Sequence, residues 1–249
     1  MSRARGYATD AIVLRTVDFA ETSQVVHLAT PEHGLVAALA KGSHSPRSAF
    51  QGGVPLGVLG RAELSPRRGE LELLRSFTVT DGLKGLRDDL ERFAAGSRVL
   101  ALLRDLERPS LPAPALFLAG SFALKAIATS PPTSAATWEI VFEARALAAC
   151  GHRPHLASCV ACGEELSAVS LFSAQAGGTV HARCDPGGPR LRVDAEALAA
   201  LRRLYSARLP ELVAEPPSPR ALRAVRAAHD LFLPWVLGRE VPAPRASPA

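Results

Sequence analysis

Three cysteines and one histidine in the second half of the chain have the spacing of a zinc site. Cys159 and Cys162 form a C-x2-C knuckle, and His181 and Cys184 form a second knuckle of the same length after an interval of eighteen residues. A tight turn of this kind lets both side chains reach one ion, and this separation is typical of tetrahedral zinc sites. The four residues therefore predict a bound zinc ion.

The residues between the knuckles predict the fold that brings them together. Gly163 follows the first knuckle, where the chain must turn with a positive φ. Residues 169–173 and 178–181 have the composition of two short strands, with a turn between them, and a hairpin of this kind returns the second knuckle to the first. In the alternative interpretation the cysteines are small buried apolar side chains and His181 is a surface residue.

The predicted site is structural rather than catalytic. Four protein ligands close the coordination shell, whereas a catalytic zinc keeps one position open. The sequence contains no H-E-x-x-H motif, no phosphate-binding Walker loop, no G-x-S-x-G elbow, no dinucleotide fingerprint and no clustered carboxylates. We therefore expect a protein that is not an enzyme.

Composition points to a globular protein with an acidic partner. Of the 249 residues, 47% are apolar and 21% charged, and the net charge is +5. This basic excess favours nucleic acid as the partner. Cys150 is the fourth cysteine, and with three assigned to metal this usage is typical of a reducing compartment. There is no signal-peptide pattern and no apolar run long enough to span a bilayer, so we expect a soluble, cytoplasmic protein.

The first 80 residues predict a β-barrel domain. Five apolar, β-branched runs are separated by turn residues; they lie at 8–16, 23–30, 34–40, 54–64 and 70–79. Five short strands in a segment of this length are typical of an OB-fold, although a sandwich or an SH3-like barrel has the same signature.

The rest of the chain predicts a helical domain at 81–240 with a zinc-binding element inserted at about 155–190. Apolar residues recur at helical steps, and the expected helices cover 83–107, 115–129, 134–150, 194–207 and 219–237. Asp194 and Ser218 are expected caps at helix starts, the latter followed by Pro219. The fold class is thus α+β and multidomain, with a flexible tail at 241–249.

Short motifs along the whole chain match a known pattern. They are Ile12-Val-Leu-Arg15, Phe19-Ala-Glu-Thr22, the run from His27 to Gly34, Ala40-Lys41-Gly42 through Pro46-Arg47-Ser48, Gly52-Gly53, and Phe172-Ser173 with Gly177-Gly178. Together with a basic barrel, helices and an inserted zinc knuckle, they resemble the bacterial recombination mediator RecO family.

The resemblance implies a non-enzymatic, nucleoid-associated mediator that binds single- and double-stranded DNA and anneals complementary strands. It also implies action with the ring-forming partner RecR, contact with the acidic C-terminal tail of the single-strand-binding protein SSB, and indirect help in loading RecA. Many members of that family have four cysteines at the metal positions, so His181 stands where the third cysteine would be. His152 and His155 stay open as alternative third ligands.

The basic residues of the barrel are the candidates for DNA binding. They are Arg15, Lys41, Arg47, Arg61, Arg67 and Arg68. They would neutralise phosphates, which supplies affinity without sequence information. Phe50, in the basic loop, is the candidate for stacking on a base.

Two other functions share these features. The chain could be a zinc-stabilised adaptor that mainly contacts proteins, or a barrel protein that binds RNA. Within the mediator interpretation, an acidic tail with apolar residues at its end needs an apolar pocket with an arginine rim. The helical half combines aromatic residues with arginines, so we expect the SSB tail to bind there; the residues are Phe117, Phe122, Phe232, Trp235, Arg220, Arg223 and Arg226.

Overall fold

A computed structural model places the chain in two compact units, Met1–Phe142 and Glu143–Ala249. The structure describes residues 6–45, 47–50, 52–67, 69, 71–167 and 169–239. Arg68 and the expected flexible tail at 241–249 lie outside the described residues. The domain boundary expected near residue 80 stays a prediction.

A closed barrel of five strands begins the first unit. The strands are β1 (Tyr7–Phe19), β2 (Ser23–Thr30), β3 (Gly34–Ala40), β4 (Leu59–Ser65) and β5 (Glu72–Asp81). Four antiparallel pairings and one parallel pairing, between β3 and β5, close the barrel in the order β1-β2-β3-β5-β4. The predicted OB-like barrel is confirmed.

Alternate side chains of each strand point inward and fill the barrel. A bulge in β1 changes which of its residues face outward. Val13 is fully buried in the barrel core, and so is Val26 on β2. The pairing of β1 with β2 shifts between Val13 and Arg15. A bulge inserts one unpaired residue and re-aims the side chains that follow it. Beyond it, Arg15, Val17 and Phe19 are exposed on the outer face.

The segment before β4 differs from the strand predicted at 54–64. Only Leu59–Ser65 is a strand; before it, the Val54 amide donates to the side-chain oxygen Oε1 of Gln24 at 2.8 Å and not to a backbone carbonyl of a neighbouring strand. Val54 and Phe50 belong to the barrel core, and Phe50 is only 9% exposed. The prediction that Phe50 stacks on a base is therefore wrong, because its ring fills the barrel.

Three helices follow the barrel: α1 (Leu90–Leu106), α2 (Pro114–Thr129) and α3 (Ala135–Ala149). The helix predicted at 83–107 is wrong in its first turns, where Lys84–Arg87 form a separate 3-10 turn. Asp89 starts α1, since its carboxylate accepts the amides of Glu91 at 2.9 Å and Arg92 at 3.2 Å. In the described part of the chain, no helix is both long and apolar enough to cross a membrane.

The second unit surrounds a small sheet with helices. Its strands β6 (Val169–Ser173), β7 (Gly178–Val180) and β8 (Arg190–Asp194) pair in the order β7-β6-β8. The helices are α4 (Ala195–Ser206), α5 (Leu209–Ala214) and α6 (Pro219–Val236). Asp194 caps α4 by accepting the Ala197 amide at 2.9 Å, and Ser218 caps α6 by accepting the Ala221 amide at 3.1 Å, as predicted. Strand β8 and helix α5 were not predicted.

A buried polar chain links α3, α4 and α6 within the second unit. Glu143 accepts hydrogen bonds from Arg226 at 2.7 Å and from His229 Nδ1 at 2.8 Å. The other ring nitrogen of His229 lies 3.1 Å from the Tyr205 hydroxyl. Burial raises the pKa of Glu143, but the bonds and charges of His229 and Arg226 outweigh it and hold the pKa below its ordinary value. Each buried polar group thus has a partner, as stable interiors require.

Glu107, just after α1, is the contrasting case. Its side chain is 2% exposed, and neither carboxylate oxygen has a hydrogen-bond partner among the described residues. Burial raises the pKa of this carboxyl from 4.5 to about 7. The folded state therefore holds a proton that the unfolded state releases between these two values, so Glu107 makes stability fall as pH rises through that window.

We predict that Glu107→Gln stabilises the protein above pH 7. The change removes the ionisation, whereas the buried amide stays as unsatisfied as the neutral carboxyl, so only the pH-dependent part of the cost disappears. Thermal unfolding from pH 4 to 8 should show variant and parent converging at pH 4 and separating as pH rises. A difference that does not change with pH would contradict the account.

Candidate metal centre and nucleic-acid interface

The first knuckle is a tight turn that presents two sulfur atoms. The Gly163 amide donates to the Cys159 carbonyl at 2.9 Å, and Gly163 has the positive φ that was predicted, 78°. The Cys159 amide donates to the Glu164 carbonyl at 2.9 Å, which closes the turn from the other side. Cys159 is buried and Cys162 exposed.

The hairpin of β6 and β7 brings the second knuckle to the first. After β7, a 3-10 turn at Ala182–Cys184 follows His181, and the Cys184 amide donates to the His181 carbonyl at 2.9 Å. The ligand atoms of Cys159, Cys162, His181 and Cys184 all lie within 4.8 Å of one another. The structure thus brings together the four residues that the spacing predicted.

The hydrogen bonds of His181 show which of its two ring nitrogens carries the proton. Nε2 lies 2.9 Å from the Glu165 carbonyl oxygen, which can only accept, so Nε2 carries the proton. Nδ1 lies 3.5 Å from Cys162 Sγ and keeps its lone pair for a metal ion. A carbonyl that orients a metal-binding histidine in this way is common in metal sites.

Hydrogen bonds at the knuckles favour the thiolate that a metal requires. Burial alone raises the pKa of the Cys159 thiol, but bonds from the backbone of His181, Cys162 and Ala161 outweigh it and lower the pKa from 9.0 to about 6. Burial, and then the sulfurs of Cys162 and Cys159, raise the pKa of Cys184. The cluster therefore carries at least one readily ionised sulfur.

The cluster can hold one ion but offers it no open position. Three sulfur atoms and one nitrogen match a closed tetrahedral shell, which excludes substrate. His152 and His155, the alternative ligands, lie outside this cluster, and His155 Nε2 lies 2.9 Å from the Ser158 hydroxyl instead.

The predicted DNA-binding residues occupy different parts of the barrel surface. Arg15 is on β1, Lys41 and Arg47 are in the loop after β3, and Arg67 is in the loop after β4; all four are exposed. Arg61, on β4, forms an ion pair with Asp10 at 3.1 Å, so part of its charge is compensated. Arg68 lies outside the described residues.

Hydrogen bonds hold the loop with Lys41 and Arg47 against the turn between β1 and β2. The His44 amide donates to the Thr22 carbonyl at 2.9 Å, and His44 Nε2 lies 3.0 Å from Asp18 Oδ1. The Gly42 amide donates to the Ser23 hydroxyl at 3.0 Å. Lys41 therefore lies beside the end of β1.

Two further cations near these residues were missed from the sequence. Partial burial lowers the pKa of His27, and the positive charges of Arg15 and Arg104 lower it further, which places all three in one positive region. Arg75, on β5, is exposed and donates to the Ser65 hydroxyl at 3.1 Å. The alternation of β5 could have identified Arg75, but nothing local to the sequence connects helix α1, which carries Arg104, with β2.

Comparison with known proteins identifies the family. A profile described as "Recombination protein O N terminal" matches residues 1–83, and one described as "Recombination protein O C terminal" matches residues 87–245. The chain belongs to the RecO family. The expected family is thereby confirmed, and with it a role in DNA repair and recombination.

Curated relatives of the RecO family extend over nearly the same length. The chain is 39% identical over 237 residues to the DNA repair protein RecO of Anaeromyxobacter sp. (strain K), covering 94% of this chain and 92% of the relative. It is 32% identical to that of Myxococcus xanthus, covering 94% of both. It is 33% identical to that of Symbiobacterium thermophilum, covering 80% of this chain and 79% of the relative.

Proposed function

We propose that this RecO-family chain is a non-enzymatic recombination mediator that binds single- and double-stranded DNA through phosphate contacts and anneals complementary strands. The observation that carries the proposal is the positive surface of a closed OB-like barrel, with Arg15 exposed on β1 and with Lys41 and Arg47 exposed in the loop that is held against the turn between β1 and β2. OB-folds bind oligonucleotides near this turn. Contacts to phosphates would serve any sequence, as repair and annealing require.

The candidate cations differ in what they can contribute. Lys41 and Arg47 have no carboxylate partner among the described residues, so each can neutralise a phosphate. Arg61 must first leave Asp10, which makes it the weaker candidate. Arg67 and Arg68, after β4, would extend the contact region beyond the first turn.

We predict that reversing the charges of Lys41 and Arg47 together, with Lys41→Glu and Arg47→Glu, weakens DNA binding similarly across sequences. The slope of log affinity against log salt should flatten by roughly one unit per lost phosphate contact. Fluorescence anisotropy with labelled DNA, at several salt concentrations, measures this. A control with the same change in charge is Lys125→Glu with Arg223→Glu, two exposed residues outside the barrel strands.

An unchanged slope would show that the interface lies elsewhere, and equal affinity for RNA would favour the RNA-binding alternative.

We also propose that the Cys159, Cys162, His181 and Cys184 cluster holds one structural zinc ion. Zinc prefers tetrahedral sulfur and imidazole ligands, and the pKa of Cys159 near 6 supplies a thiolate at neutral pH. Strand β7 has only three residues, so the metal would stabilise a sheet too small to hold its knuckles alone.

Zinc content tests the cluster directly. The freshly purified parent should contain about one zinc per chain, and Cys159→Ser should lose it. That variant should lose thermal stability and solubility more than DNA affinity per folded molecule. Cys150→Ser, at the cysteine outside the cluster, should keep the metal. Purified parent protein without zinc would refute the assignment.

The acidic SSB tail is proposed to bind a cavity in the second unit. The predicted rim does not form as expected, because Arg220 pairs with Asp194 at 2.7 Å and Arg226 pairs with Glu143. A cavity of about 400 Å³ is formed by residues of α4 and of the segment after α3. Its lining includes Pro154, Leu156, Ala157, Tyr205, Arg153 and Arg202. Among the described residues, neither of these two arginines meets a carboxylate. Arg202 donates to the carbonyls of Leu156 at 2.7 Å and Ala157 at 3.1 Å, and its remaining N–H groups, together with Arg153, can receive an acidic tail whose apolar end enters the cavity.

We predict that Arg153→Glu with Arg202→Glu weakens binding of a labelled SSB-tail peptide to the full chain roughly tenfold or more. The reason is the loss of two charge-assisted contacts. Arg192→Glu, at an exposed arginine of β8, is the control and should bind the peptide normally. Peptide affinity that is equal in all three proteins would place the tail elsewhere.

The remaining partners follow from the mediator role. We propose that the chain acts with RecR and so helps to load RecA onto strands coated by SSB. A filament-assembly assay on SSB-coated strands tests this: the chain and RecR together should shorten the lag before RecA assembles. An adaptor that only contacts proteins would do so without binding DNA itself.

A further inference from the structure

A row of apolar side chains crosses the outside of the barrel. Val17 of β1 pairs with Val25 of β2, Val25 pairs with Leu39 of β3, and Leu39 pairs with Leu73 of β5. Val25, Leu39 and Leu73 each adjoin a buried residue of the barrel core, so they face outward, and the pairing register places Val17 on the same face. Val17 is 41% exposed and the other three are half-buried. The row runs over four neighbouring strands without a charged residue.

Phe19 stands at one end of this row. It follows Val17 by two residues on the same face, pairs with Ser23 and is 53% exposed. The next residue, Ala20, has a φ of 55°, a left-handed conformation that is uncommon for alanine and occurs at constrained functional turns. The bonds from His44 to Asp18 and Thr22 hold this turn in place. The backbone that carries the ring is therefore held in place, and the ring is open to solvent.

Cations flank the row on both sides. Arg15 precedes Val17 by two residues on β1. On the other side, Lys41 follows Leu39 by two residues, and Arg75 follows Leu73 by two. Asp18, the acid next to Phe19, is engaged by His44. An apolar strip with Arg15 on one side and Lys41 and Arg75 on the other suits a single strand, which has planar bases and a charged backbone.

We propose that single-stranded DNA lies across this face, with a base stacked on Phe19 and further bases over the apolar row, while Arg15, Lys41 and Arg75 hold phosphates. The inference rests on the proposed DNA binding and adds to it a means of distinguishing single strands from duplex. The bases of a duplex are stacked on one another, so they cannot lie on Phe19, and duplex binding uses only the cations. Phe19 thus takes the base-stacking role that was predicted for Phe50, whose ring is buried in the barrel.

The test uses the full chain and three variants. Phe19→Ala should weaken binding of single-stranded DNA roughly 5- to 100-fold, the range for losing one stacked base. Duplex affinity and the salt slope should stay unchanged, because no phosphate contact is lost. Phe19→Trp should restore single-strand affinity. Phe93→Ala removes another exposed ring of the first unit, 55% exposed on α1, and should bind like the parent.

A 2-aminopurine base in the oligonucleotide gives a second readout. Stacking on Phe19 changes its fluorescence on binding, and Phe19→Ala should abolish most of that change at saturation. Equal single-strand affinity in Phe19→Ala and parent, or equal losses in Phe19→Ala and Phe93→Ala, would overturn the inference. Either result could occur while the salt slope still depends on Lys41 and Arg47, so the stacking surface can fail while the proposed DNA binding stands.

Discussion

The closed barrel imposes the constraint on which the proposed DNA-binding face depends. Each strand pairs on both edges, so its side chains have only an inside and an outside, and a residue cannot change sides without breaking the register. Val26 and Leu28 must then fill the interior, which leaves Val25 and His27 outside. The bulge after Val13 is the one place on β1 where this order changes, and it turns Arg15, Val17 and Phe19 outward together. The loop after β3 completes the interior with Phe50 and Val54, so the same loop that carries Lys41 and Arg47 is held at both ends by the barrel.

The second unit is stabilised differently from the barrel. Its sheet has strands of five, three and five residues, which bury little apolar surface by themselves. Phe172 packs edge-on against Phe232 at a centroid distance of 5.7 Å, which attaches the sheet to α6. The two knuckles are held instead by their backbone hydrogen bonds and by the cluster of three cysteines and His181. Glu143, His229 and Tyr205 add a buried polar chain that fixes the helices in one arrangement, since any misalignment leaves a buried group unsatisfied.

The sequence alone predicted the features that depend on local residue patterns. The cluster of three cysteines and His181 was predicted from its spacing, the starts of α4 and α6 from Asp194 and Ser218, and the barrel from its five alternating runs. Contacts between distant segments were not accessible in this way. Phe50 looked like a surface residue because its neighbours are polar, yet the closed barrel needs its ring. Phe19 lay beyond the strand predicted at 8–16, and the bulge that exposes it depends on how β1 pairs with β2. The partnership of Glu143 with His229 joins residues 86 positions apart, and no periodicity predicts it.

The measurement that tests the account most directly is the annealing of two complementary oligonucleotides by the full chain with no nucleotide cofactor present. A non-enzymatic protein that holds single strands through phosphates and stacked bases should accelerate duplex formation with ATP absent, and increasingly so as salt is lowered. The outcome that would contradict the account is an annealing rate equal to that of the oligonucleotides alone at protein concentrations that saturate the single strand.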